Sequence, residues 1–212
     1  NHHELWIPSE ELEKFNQAIV GKIEVTKVFM GKDFKKSANE ELENLLVNIK
    51  KLTMTNKGMA KDTLEILAKK YYINENNEKI SIENEMQNCI KETVLYSSEE
   101  LSEMTKHELP ETHFETQFEV WRCSSLKAIL QLAAEEDQEK LMCLNFASAK
   151  NPGGGFINGA EAQEESLART SGLHDSLLQG WEYYETHRAM ESCFYTDMMI
   201  YSPKVPVFRK DK

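Results

Sequence analysis

Residues 141–165, LMCLNFASAKNPGGGFINGAEAQEE, decide how this chain folds. The stretch begins with a short apolar run, Leu141 to Phe146, of the kind that forms a strand buried on both faces. It passes through Pro152 into Gly153, Gly154 and Gly155. It then resumes at Gln163, Glu164 and Glu165, which open a helix running on through Leu167, Ala168 and Arg169. Strand, glycine loop and helix in that order belong to an α/β sheet, whose ligands bind at the carboxyl ends of the strands.

Working outward, Phe114, Thr116, Phe118 and Val120 alternate with Glu115, Gln117 and Glu119, the period of a strand. Ser124 to Ala134 reads as a helix carrying Leu126, Ile129, Leu130 and Ala133, capped by Ser124 or Ser125. Asp137 and Gln138 make a turn before the apolar run. Strand, helix and strand so close together form a βαβ unit, which predicts a parallel or mixed sheet. Everything before about Leu109 is helical in pattern. Ser9–Val20 aligns Leu12, Phe15 and Ile19, with Ser9 as cap, and Ala38–Leu52 aligns Leu42, Leu45, Leu46, Ile49 and Leu52. Met59–Tyr71 and Ile82–Val94 follow, separated by a polar turn at Asn74–Asn77. The spacing thus divides the chain into a helical N-terminal region, 1–110, and an α/β region, 111–212.

The 212 residues carry a formal net charge of −11, which excludes general nucleic-acid binding through a basic footprint. An anionic ligand has to be held by a local device. No apolar run is long enough to span a bilayer, so no membrane partner is expected. Cys89, Cys123, Cys143 and Cys193 lie far apart with no C-x-x-C pair. They read as reduced, buried thiols of an intracellular, cytoplasmic protein, not as a disulfide frame or zinc site. No metal and no cofactor is implied.

Three consecutive glycines stand where a chain needs unusual dihedrals or a close approach. Their successive N–H groups could form an anion-binding concavity facing a phosphate. The run is neither a Walker loop nor a dinucleotide fingerprint, since no Gly-Lys-Ser/Thr follows and the spacing differs. Carboxylates in the first turn of a helix are favoured by its dipole, which accounts for one of the two glutamates as a cap. Neighbouring helical residues diverge by about a hundred degrees, so Glu164 and Glu165 cannot be equivalent partners. One can meet a ribose hydroxyl while the other reaches a scissile bond. Cleaving a glycoside one ribose away from a diphosphate needs an acid and a base, and one glutamate can serve as both in turn.

Gly-Gly-Gly, seven residues and Gln-Glu-Glu resembles the signature of poly(ADP-ribose) glycohydrolases, and NFASAKNPGGGFINGAEAQEESLARTSGL with MMIYSPKVPVFR resembles their microbial type. The likeness runs from about Met59 to the end and leaves the first 55 or so residues unplaced. It implies a macrodomain-like mixed sheet flanked by helices, with Glu165 as catalytic acid/base and Glu164 on the hydroxyls of the distal ribose. Gly153, Gly154 and Gly155 would line the diphosphate, and either Asn151 or Asn145 would contact the ribose. Phe156 and Gln163 complete the substrate-binding set. The implied partner is ADP-ribose or poly(ADP-ribose) on modified targets, and the implied activity is hydrolysis of ribose–ribose bonds. A mono-ADP-ribosyl hydrolase acting on protein or nucleobase, a non-catalytic ADP-ribose reader and an interaction scaffold are the competing readings. The family continues beyond MMIYSPKVPVFR with further strands, so the sheet is expected to be incomplete at the C-terminus, with a C-terminal fragment of the same protein completing it. His174 and Asp175 read as a surface turn after Gly172, and Trp181, Tyr183 and Tyr184 as helix packing.

Overall fold

In the computed structural model Thr55 caps the first described helix, its hydroxyl accepting a bond from Gly58 N–H at 3.1 Å. The structure describes residues 55–106, 115–134, 141–191 and 194–210. The expected helices at 9–20 and 38–52, the turn at 137–138 and the division at 110/111 lie outside the described residues. Contacts group Met54–Lys212 as one compact unit.

Helix α1, Asn56–Lys69, buries Met59, Ala60, Thr63 and Leu67, a stripe at spacings of three and four. It ends at Lys70, whose left-handed φ of 60° closes the C-cap with a bond to the Ile66 carbonyl. Strands β1, Tyr71–Ile73, and β2, Lys79–Ser81, then form an antiparallel hairpin. Its turn is held by Asn74 Oδ1, which accepts from the amides of Asn76 and Glu78, both at 2.9 Å. Helix α2, Glu83–Glu92, buries Met86 and Cys89. Strand β3, Val94–Tyr96, pairs with β4, Met199–Tyr201, in antiparallel register. Helix α3, Ser98–Lys106, starts with a reciprocal cap in which Ser97 and Glu100 exchange amide-to-side-chain bonds.

Helix α4, Ser125–Leu132, settles the choice of cap, since Ser124 Oγ accepts from Lys127 N–H at 3.2 Å. Helix α5, Gln163–Thr170, is followed by α6, Leu173–Leu177, and α7, Trp181–Ala189. Leu126, Leu167, Leu173, Leu177 and Tyr184 make the core between α4, α5, α6 and α7. Ala60, Phe156 and Ala168 seal α1 against α5. Thr63 Oγ1 donates to the Arg169 carbonyl at 2.5 Å, and Arg209 joins Asp62, Thr63 and the Met59 carbonyl, so the C-terminal segment locks both helices.

The architecture is mixed α and β, as expected, but the βαβ unit is not formed among the described residues. Neither 115–120 nor 141–146 enters a ladder, and both named sheets are antiparallel pairs. A strand requires a ladder partner, and neither segment has one among the described residues. Their apolar side chains stay exposed: Phe118 is 92% exposed and Met142 77%. Cys123 and Cys143 share that exposure, so of the three described thiols only Cys89 is buried as expected.

Candidate active site

The loop from Asn145 to Phe156 and the first turn of α5 meet face to face. Gln163 anchors the meeting. Its Oε1 accepts from Phe146 N–H at 2.7 Å, and its Nε2 donates to the Leu144 carbonyl and to Ser125 Oγ, both at 3.0 Å. A side-chain amide thus substitutes for a rung of ladder, pinning 144–146 to α5 and α4. Both polar ends of the Gln163 side chain are bonded within the scaffold.

Glu164 points into the loop and is only 2% exposed. Its Oε2 accepts from Ser148 N–H at 2.6 Å, and its Oε1 from Gly153 N–H at 3.1 Å and Asn145 Nδ2 at 3.5 Å. Burial pushes the Glu164 carboxyl above the usual range, with Glu165 adding to the rise, while these donors oppose it. Glu165 is half-buried and held through Oε1 alone, by Gly155 N–H at 2.9 Å. The two carboxylates diverge as adjacent helical residues must, Glu164 buried and Glu165 half-buried.

The glycines are required by geometry. Gly153 and Gly154 have φ of +71° and +59°, in the left-handed region that favours glycine. A Cβ on Gly154 would overlap Glu165 Oε1 and lie 2.8 Å from Glu165 Cδ and 3.2 Å from Glu164 Oε2. The use of the amides differs from the expected phosphate concavity. Gly153 and Gly155 donate to the two glutamates, and Gly154 donates to the Asn151 carbonyl at 2.9 Å. An amide carries one proton, so each is already engaged, and the loop grips carboxylates where a diphosphate was expected.

Of the two asparagines, Asn145 stands beside Glu164 with its Oδ1 buried and unpartnered, whereas Asn151 is exposed and contributes its backbone. Phe156 is fully buried against Ala60 and Ala168, so it is a core residue and presents nothing to a ligand. His174 is not on a surface turn: it packs against Phe156 at 5.2 Å, and Asp175 takes Lys70 Nζ at 3.3 Å. Tyr184 is fully buried, which confirms packing for that ring. Ser148 was missed by sequence reasoning. The signal was a serine three residues before an Asn-Pro-Gly turn, a position suited to closing that turn with its hydroxyl.

A separate cavity of about 510 Å³, lined by Asn56, Cys123, Ser124, Gln163, Ser166 and Thr170 among others, opens on another face of α5. Among the described residues no group of three His, Cys, Asp or Glu side chains could hold a metal ion, and no helix is long and apolar enough to cross a membrane.

Residues 60–210 match the family model of the microbial-type PARG catalytic domain. The poly(ADP-ribose) glycohydrolase of Thermomonospora curvata is 38% identical, with a TM-score of 0.69 over 74% of this chain and 57% of that one. The same protein bound to the inhibitor ADP-HPD gives a TM-score of 0.66 over 74% and 56%. The glycohydrolase of Deinococcus radiodurans in complex with ADP-ribose is 41% identical over 59% of this chain and 51% of that one, with a TM-score of 0.49. The chain spans a little over half the length of the Thermomonospora structures. No curated protein gives a significant match.

Proposed function

The chain belongs to the microbial-type poly(ADP-ribose) glycohydrolase catalytic-domain family, and from that premise we propose that it hydrolyses ribose–ribose bonds of poly(ADP-ribose) to release ADP-ribose. The observation that carries this reading is the divergent pair, Glu164 enclosed by three donors and Glu165 held by one oxygen beside the glycine loop. Glu165 would give its proton to the leaving ribose oxygen as the anomeric C–O bond breaks. It would then take a proton from the water that attacks the oxocarbenium-like centre, and so return to its starting state. Glu164 and the free Oδ1 of Asn145 would receive ribose hydroxyl donors, which favours Asn145 over Asn151. The Thermomonospora relative binds ADP-HPD, which supports an ADP-ribose-shaped ligand here.

Gly153, Gly154 and Gly155 would serve chiefly to aim the carboxylates, and would face the diphosphate only by exchanging these bonds. The exposed apolar residues Met142 and Leu144 support a further part of the proposal, that a C-terminal fragment of the same protein pairs along 141–146. Native mass spectrometry finding no such companion in active material would remove that part. The free thiols support a cytoplasmic location, to be checked by fractionation.

The deciding experiment is ADP-ribose release from poly(ADP-ribose) by wild type beside Glu165→Gln, with mono-ADP-ribosylated protein and DNA in parallel. The variant should lose a factor on the order of a hundred to ten thousand in rate while still binding ADP-ribose. Native-rate cleavage by Glu165→Gln refutes the catalytic assignment. Binding without cleavage by the wild type would instead make the protein a reader.

A further inference from the structure

The turn ahead of the glycines is organised by a hydroxyl. Ser148 Oγ accepts from the amides of Lys150 at 3.3 Å and Asn151 at 3.1 Å, so one side-chain oxygen bends the chain back over two peptide units. The Asn151 carbonyl then accepts from Gly154 N–H at 2.9 Å. These bonds act in series: Ser148 fixes Asn151, and Asn151 fixes Gly154. The result is an arc whose two ends carry the N–H groups of Ser148 and Gly153. Those groups converge on the two oxygens of Glu164, at 2.6 and 3.1 Å.

We propose that Ser148 is a positioning residue: its hydroxyl closes the arc that aims two backbone amides at Glu164 and fixes that carboxylate opposite the glycine loop. The geometry stands by itself, while the link to turnover rests on the glycohydrolase reading. Opening the arc would loosen both amides together, which deletion of a single donor from Glu164 would not do. Glu165 on the same helix and Tyr183 and Tyr184 on α7 are the titratable groups that face Glu164. None is a cation, so once the amides slacken only the long bond from Asn145 Nδ2, at 3.5 Å, still favours the charged carboxylate against its burial.

The test compares Ser148→Ala and Ser148→Thr in the full chain. Carboxyl-carbon NMR titration of Glu164 should show its pKa raised by about one unit in Ser148→Ala, with the acid limb of kcat/KM against pH moving up by the same amount. On that limb kcat/KM should fall about tenfold, and Ser148→Thr, which keeps the hydroxyl, should restore both readouts. A Ser148 that served only general stability would lower the melting temperature of Ser148→Ala and leave the Glu164 titration in place, and that result overturns the proposal. Should Ser148→Ala not fold, Ser148→Cys keeps the volume and weakens the acceptor, and an unmoved titration there overturns it equally. If the wild type cleaves no ADP-ribose substrate, the glycohydrolase reading fails by itself, and the NMR titration still decides the role of Ser148.

Discussion

Replacing Gly154 by alanine should damage activity far more than stability. Two costs combine. Gly154 sits at φ +59°, where a side chain costs about 1–2 kcal/mol. The new methyl would also overlap Glu165 Oε1, approach Glu165 Cδ to 2.8 Å and crowd Glu164 Oε2 at 3.2 Å. Glu165 is the half-exposed member of the pair, so it should swing away and give up its bond from Gly155 N–H. Losing a hydrogen bond to a charged group costs about 1.5–3 kcal/mol, which in the transition state is about a ten- to hundredfold fall in kcat/KM. Gly159→Ala is the matched control. It too has a left-handed φ, +89°, but its methyl would meet Lys57 and Asn56, and neither carboxylate is among its neighbours. Both variants should melt about 2–6 °C below wild type. Only Gly154→Ala should lose ADP-ribose release from polymer. If both variants retain activity within twofold of each other, the close approach of Gly154 to Glu165 has no catalytic meaning and the reasoning fails.

Asp175→Asn tests the pair that ties α6 to the end of α1. His174, and then Lys70, hold the Asp175 carboxyl below its usual range against the opposing effect of burial. A depressed folded pKa stabilises above the unfolded value near 4 and loses that contribution as pH falls through the folded value. Thermal melts should therefore show the variant about 1 kcal/mol less stable at pH 7, with the gap closing as pH falls below the unfolded value and on through the folded one. A gap that does not depend on pH would rule out the electrostatic account. Tyr184→Phe should melt at or slightly above wild type, because the Tyr184 hydroxyl is buried without a partner and its removal leaves the ring packing intact. A melting temperature lowered by more than about 4 °C, roughly 1 kcal/mol or more, would mean that the hydroxyl does have a partner.

The parts of the fold legible in the sequence were those written at a single period. The stripe Leu64, Leu67 and its neighbours gave α1, and Leu126 with Ile129 gave α4 together with its serine cap. The divergence of Glu164 and Glu165 followed from helical geometry alone. Pairing β3 with β4 was not legible, because each strand has three residues and their partners lie about a hundred positions apart. Three residues show no period, and their burial depends on what lies above them. Phe156 illustrates the same limit within the motif. The family resemblance put it in the substrate-binding set, yet the turn of the loop directs it into Ala60 and Ala168. The segments 115–120 and 141–146 had a strand-like pattern but no ladder partner among the described residues, since alternation specifies a face but cannot supply the ladder.

The choice of donors around the two glutamates bears on the chemistry. A lysine or arginine beside the two glutamates would hold them firmly, but would bring a full positive charge into the site. Backbone amides fix direction with less electrostatic bias. Arg169, the nearest guanidinium in sequence, is turned away to the Ala160 carbonyl. The glycine loop thus gives neutral donors at close range, which side chains on a less permissive backbone could not deliver through the same space. That arrangement has a consequence for any diphosphate. Amides engaged by Glu164 and Glu165 cannot serve a phosphate at full strength, and two carboxylates beside an anion repel it. An ADP-ribose ligand must therefore place its diphosphate on other donors, or displace the carboxylates from the loop as it binds.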